Sequence, residues 1–121
     1  MRHRAAAACV LAVLFAGALG THAHAFLERA EPRVGSTVRT PPTQVKLWFT
    51  ERLEPAFSRV QVMDEAGRPV NRADAAVDPE NQALLRVSLR ELPPGAYRVV
   101  WRVVSVDTHV TEGAFTFKVA P

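Results

Sequence analysis

Few side chains in this 121-residue sequence are suited to metal, acid/base or nucleophilic chemistry. The histidines are His3, His22, His24 and His109, the one cysteine is Cys9, and the methionines are Met1 and Met63. The segment Ser105-Val106-Asp107-Thr108-His109 sets a carboxylate and an imidazole two residues apart. In an extended chain that spacing projects both side chains to one side, so an oxygen and a nitrogen can face one ion. Taken alone, Asp-x-His is also the ordinary composition of a solvated strand end. The other histidine gives the pattern more content. If the chain is cut after Ala23, His24 becomes residue one, and a terminal His presents its α-amino and ring nitrogens to the same metal in a chelate no internal His can form. The amine's ordinary pKa is about 7.7 to 8.0, so a strong Lewis acid is needed to displace its proton near neutrality. Cu(II) does this best, because affinity for N/O sites peaks at copper and Cu(II) favours a tetragonal set of such donors. Two nitrogens of His24, one of His109 and an oxygen of Asp107 would fill that plane with one ion per chain.

This chemistry depends on export, and the N-terminus reads as an export signal. Arg2 and Arg4 give a basic start, Ala5 to Leu19 is uncharged and apolar, and small residues follow. Those are the three parts of a secretory signal peptide, while a spanning helix needs roughly 20 apolar residues. A retained membrane anchor is the competing interpretation. Cuts after Ala23 (Thr21 at −3) and after Ala25 (Ala23 at −3) are both acceptable, and the second fits the small-x-small rule slightly better. The predicted organisation is a signal peptide over residues 1–23 and one domain over 24–121. Cys9 leaves with the leader, so the domain has no covalent staple and must bury an apolar core.

Charge and motifs narrow the function further. With Arg2 and Arg4 set aside, 13 Lys and Arg face 12 Asp and Glu, there is no Lys/Arg run, and nothing argues for nucleic acid. No Gly-x-Ser-x-Gly, HExxH, CxxC or phosphate-binding Gly loop occurs. A Ser-His-Asp triad would have to use His109 as its base.

The positioning elements are strands. Gln44–Thr50, Ser58–Met63 and Leu85–Arg90 alternate apolar and polar residues with period two, and no helical period is sustained. Pro93-Pro94-Gly95 predicts a type II turn that reverses the chain. A long strand follows from Ala96 to about Val106, with Tyr97, Val99, Trp101 and Val103 on one face, and Ala114–Val119 supplies the last. Glu65–Pro69 reads as a hairpin turn and Ala75–Gln82 as a longer surface loop. About seven short strands in one small domain predict an all-β, antiparallel immunoglobulin-like sandwich with Greek-key connections. A small closed barrel is the second architecture considered.

The domain resembles the bacterial periplasmic copper-resistance family known as CopC. The resemblance rests on three stretches in order. These are His24-Ala25-Phe26-Leu27 with Pro32, Gly35 and Ser36; Leu47-Trp48-Phe49-Thr50-Glu51; and a C-terminal set. That set is Leu92-Pro93-Pro94-Gly95-Ala96-Tyr97, Trp101–Ser105, Asp107-Thr108-His109, Gly113 and Phe115-Thr116-Phe117. The resemblance implies a Cu(II) site of His24, Asp107 and His109, favours cleavage after Ala23, and makes Glu51 a candidate outer-sphere partner. It implies a periplasmic carrier or buffer, a monomer and no enzyme, with an inner-membrane copper transport protein of the CopD type as a partner. Some members add a Met-rich loop for Cu(I). Between Met63 and Asn81 this sequence has one Met and no His, so no Cu(I) site is expected and Met63 reads as core filler. Two other functions are weighed beside this one: a copper monooxygenase built on a histidine brace, and a metal-free interaction domain.

Overall fold

The computed structural model describes residues 25–121, and the predicted signal peptide over residues 1–23 and His24 lie outside the described residues. Eight strands follow one another: β1 (Leu27–Glu31), β2 (Thr37–Val38), β3 (Gln44–Phe49), β4 (Arg59–Met63), β5 (Ala76–Asp78), β6 (Asn81–Ser88), β7 (Gly95–Val104) and β8 (Val110–Val119). They form two four-stranded sheets, ordered β1-β3-β6-β5 and β2-β8-β7-β4. Every pairing is antiparallel except the two-residue contact of β2 with β8. With β2 set aside, seven strands remain in the order of an immunoglobulin-like Greek-key sandwich.

The period-two pattern decides which side chains meet between the sheets. From one sheet come Val45, Leu47 and Phe49 of β3 with Leu85 and Val87 of β6; from the other come Val60 and Val62 of β4, Tyr97, Val99 and Val103 of β7, and Phe115, Phe117 and Val119 of β8. Each such side chain taken out of water contributes about 1.5 to 3 kcal/mol, which is how a domain without disulfides holds together. Tyr97 and Phe117 stack with centroids 5.6 Å apart. The Tyr97 hydroxyl donates to the Pro93 carbonyl, the tyrosine corner of this architecture.

Several local expectations are corrected. Pro93-Pro94-Gly95 is not a type II turn. Gly95 has φ 153° and opens β7, so the segment carries the chain from one sheet to the other. Buried Leu92 anchors it, and the Glu65 carboxylate accepts the Ala96 amide at 3.2 Å. The stretch Ala75–Gln82 is not a loop, because β5 pairs with β6. The Asp78 carboxylate takes the amides of Glu80 and Asn81 at 2.7 and 3.2 Å and tightens the turn between them. The long strand stops at Val104, and the last strand begins at Val110, four residues before Ala114. The hairpin turn at Glu65–Pro69 is present, with Gly67 at φ 79° and Asp64 accepting the amides of Ala66 and Arg68.

Candidate metal centre

β7 and β8 pair over their whole lengths, ending with Val104 opposite Val110, so residues 105–109 form the loop at one end of the sandwich. The loop is a tight turn, not an extended segment. The Ser105 amide donates to the His109 carbonyl at 2.9 Å and the Thr108 amide to the Ser105 carbonyl at 2.8 Å. Thr108 sits at φ 72°, a region unfavourable to a β-branched residue. Asp107 and His109 therefore meet across a turn, with His109 Nδ1 3.4 Å from Asp107 Oδ2. The predicted juxtaposition is present, but strand alternation is not its cause.

Ser105 organises the pair. Its side chain is fully buried, its hydroxyl donates to Asp107 Oδ1, and its oxygen accepts the His109 amide at 3.2 Å. The Ser105 hydrogen bond, helped by His109, holds the Asp107 carboxyl below its ordinary pKa against an opposing contribution from desolvation. The carboxylate is thus an anion at neutral pH. The His109 and Asp107 side chains are 35% and 42% exposed, so both donors can be reached from solvent.

The chain segment before β1 is fastened to the same end. The Thr111 hydroxyl donates to the Ala25 carbonyl at 2.7 Å, and Ala25 is buried. The Phe26 amide donates to Thr50 Oγ1 at 3.0 Å and the Thr50 amide to the Phe26 carbonyl at 2.9 Å. Ala25 and Phe26 are thereby clamped between the end of β3 and the start of β8, two residues past His109. Glu51 follows Thr50 at this rim. The Val106 amide donates to the Arg52 carbonyl at 3.0 Å, and Leu53 bridges to Ser105, but no hydrogen bond or ion pair joins Glu51 to Asp107 or His109. Beneath the loop lies an aromatic platform: Trp101 has its ring centroid 6.1 Å from that of Phe49 and 6.2 Å from that of Phe115. A Cβ on Gly113 would stand 2.2 Å from the Trp101 ring, so this position must lack a side chain.

Ser105 and Thr111 had no role in the reading of the sequence. The signal for Ser105 was its place in the loop motif; Thr111, a polar residue in the first part of β8, carries none without the fold. The donors fit a first-row ion. Such ions bind nitrogen and oxygen at about 2 Å, so two donors 3.4 Å apart are within reach of one shared ion. Two donors make half a site: among the described residues no group of three or more His, Cys, Asp or Glu is placed to hold a metal.

The comparisons with known proteins agree with this architecture. The family model described as the CopC domain matches residues 27–120. Protein YobA of Escherichia coli K12 is 36% identical over 98 residues, covering 80% of this chain and 79% of YobA. The copper transport protein CutJ of Bacillus subtilis is 30% identical over 98 residues, which is 80% of this chain but only 18% of CutJ. The crystal structure of PcoC, a methionine-rich copper resistance protein from Escherichia coli, superposes with a TM-score of 0.71 at 35% identity, covering 80% of this chain and 99% of PcoC. The chain belongs to the CopC family.

Proposed function

We propose that the protein is a periplasmic copper carrier or buffer that holds one Cu(II) as cargo through the His24 amine and imidazole, the Asp107 carboxylate and the His109 imidazole, and that it is not an enzyme. One observation carries this reading: the Thr111 hydroxyl holds the Ala25 carbonyl at 2.7 Å, which ties the residue next to His24 in the chain to the strand that begins beside His109. Membership of a family whose relatives include a copper transport protein and a copper resistance protein supports the cargo. The nature of the donors supports its oxidation state. All are nitrogen or oxygen, suited to Cu(II), and the thioether ligands that suit Cu(I) are missing from Met63 to Asn81.

Each residue has a distinct task. His24 as residue one supplies a chelate, Asp107 a fixed negative charge, and His109 the nitrogen on the far side. Ser105 orients both loop ligands, and Glu51 at the rim serves as an outer-sphere partner. With four protein donors in the plane no position stays open for oxygen or substrate, which disfavours the monooxygenase chemistry that needs one. The basic, apolar N-terminus supports export, the family resemblance favours cleavage after Ala23, and among the described residues no helix is long and apolar enough to cross a membrane. A carrier of this kind acts as a monomer and hands copper to an inner-membrane copper transport protein of the CopD type.

The test has two parts. The exported protein should begin at His24 by intact mass; a start at Phe26 would remove the leading ligand and end the reading. Titration under controlled redox conditions should give one tight Cu(II) and no tight Cu(I), and a separate Cu(I) site of high affinity would count against it.

A further inference from the structure

The outward faces of the two sheets treat charge differently. On the β1-β3-β6-β5 face Lys46 also stands opposite Arg86, but there the charges are answered: Lys46 faces Glu31 across the other ladder, Arg86 Nε lies 3.2 Å from Asp78, and Arg29 lies 3.4 Å from Glu31 and 3.9 Å above the Trp48 ring. On the other face β4 and β7 turn Arg59, Arg98 and Arg102 to solvent. The register sets Arg59 directly opposite Arg102, an arrangement that destabilises a sheet. Glu112 answers Arg102 at 3.2 Å, while among the described residues Arg59 and Arg98 have no ion-pair partner.

These guanidiniums border an open groove of about 890 Å³. Val100 opposite Ala114 forms its floor, and the small Ala114 side chain leaves the space between the charges unfilled. Arg98 and Arg102 are four residues apart on β7, about 13 Å at the rise of a strand. A guanidinium fork matches a carboxylate in two hydrogen bonds. A cost built into the sheet, a groove, and spaced arginines all point to an external anion of extended form. The concavity does not suit a flat bilayer. Trp101 lines one side of the groove, but its ring is packed against Phe49 and Phe115, so it offers no free face for a stacking base.

We propose that this groove docks an acidic, extended segment of a partner protein, with carboxylates on Arg98 at one end and on the Arg59–Arg102 pair at the other. The groove lies on the β7–β8 hairpin that also carries the Asp107/His109 loop, so a docked partner sits alongside that loop. The proposal does not rest on copper binding, and its test is run without metal.

Fluorescence anisotropy with a labelled peptide of alternating Glu and Gly, and with its Gln-for-Glu counterpart, reads the docking directly. The Glu peptide should bind and the Gln peptide should not. The double variant Arg59→Ser/Arg98→Ser should weaken binding at least about tenfold. The double variant Arg29→Ser/Arg86→Ser on the opposite face should change it by less than about twofold. Glu112→Gln should tighten it by freeing Arg102. All these residues are at the surface, and unchanged melting temperatures confirm folding. Three results overturn the proposal: no peptide binding at low ionic strength, equal losses from the two double variants, or Arg59- and Arg98-dependent binding to phosphatidylcholine/phosphatidylglycerol vesicles without binding to the peptide.

Discussion

Tyr97 and Ser105 stand near opposite ends of β7, and each is a buried residue whose hydroxyl ties down the chain beside it. At the Tyr97 end the phenol donates to the Pro93 carbonyl and its ring stacks on Phe117. The group it fixes is backbone, and Leu92 next to it is core. At the Ser105 end the hydroxyl fixes a half-exposed carboxylate and the backbone of a half-exposed imidazole. The same chemical device closes the sandwich at one end and holds reactive groups open to solvent at the other. Stability and ligand geometry are therefore separable, and substitutions at the two ends should divide them.

The largest expected effect lies in the core under the Tyr97 end. Phe117→Ala removes the ring stacked on Tyr97 and should cost about 3 to 5 kcal/mol of unfolding free energy, measured by denaturant titration. The Cu(II) affinity of the molecules that remain folded should stay as it was. A matching loss of affinity would show that the two ends are not separable.

Ser105→Ala comes next. It leaves the half-exposed Asp107 carboxylate and the His109 amide without their shared partner and should lower the melting temperature, by less than Phe117→Ala does. It should also weaken copper binding by about tenfold, which equals about 1.4 kcal/mol. Unchanged affinity in a competition assay would remove Ser105 from the account of the loop.

Tyr97→Phe is smaller, about 1 kcal/mol, with no effect on copper. Burial, and secondarily the charges of Asp64 and Glu65, raise the Tyr97 phenol above its ordinary pKa of 10.0. The folded chain keeps its proton where the unfolded chain gives it up. This contribution to stability is therefore complete below the ordinary pKa and is lost as pH rises through the folded value. Tyr97 is the only tyrosine, so ultraviolet titration follows it alone. Its midpoint should lie above that of the denatured chain, and stability should fall less steeply above about pH 10 in the Phe variant.

How much was legible in the sequence followed from burial. In β3, β4, β6 and β7 one face is core and the other is wet, so alternation revealed them. β1, Leu27-Glu28-Arg29-Ala30-Glu31, buries only Ala30, while β2 and β5 have two and three residues; ladder contacts made elsewhere in the chain create these strands, and no local pattern announces them. β8 was recognised only from its aromatic part, because Val110 to Gly113 bury nothing fully. Asp107 and His109 were legible as a pair because metal donors are scarce in this chain. The turn that joins them depends on Thr108 accepting φ 72°, for which the sequence carries no Gly or Asn signal. The clamp of Ala25 by Thr111 spans 86 residues and exists only once both sheets have assembled.

That clamp leads to the central claim, that residue one supplies a two-nitrogen chelate to the same ion as Asp107 and His109. Competition titrations against a Cu(II) chelator, on protein beginning at His24 and on protein with one Gly added before it, test this directly. The extra residue moves the free amine away from the imidazole and touches none of the buried side chains. The account predicts equal melting temperatures without metal and a Cu(II) affinity lower by roughly two to four orders of magnitude in the extended protein, about 1.4 kcal/mol for each order. Equal affinities would contradict it, because the amine would then not be a ligand.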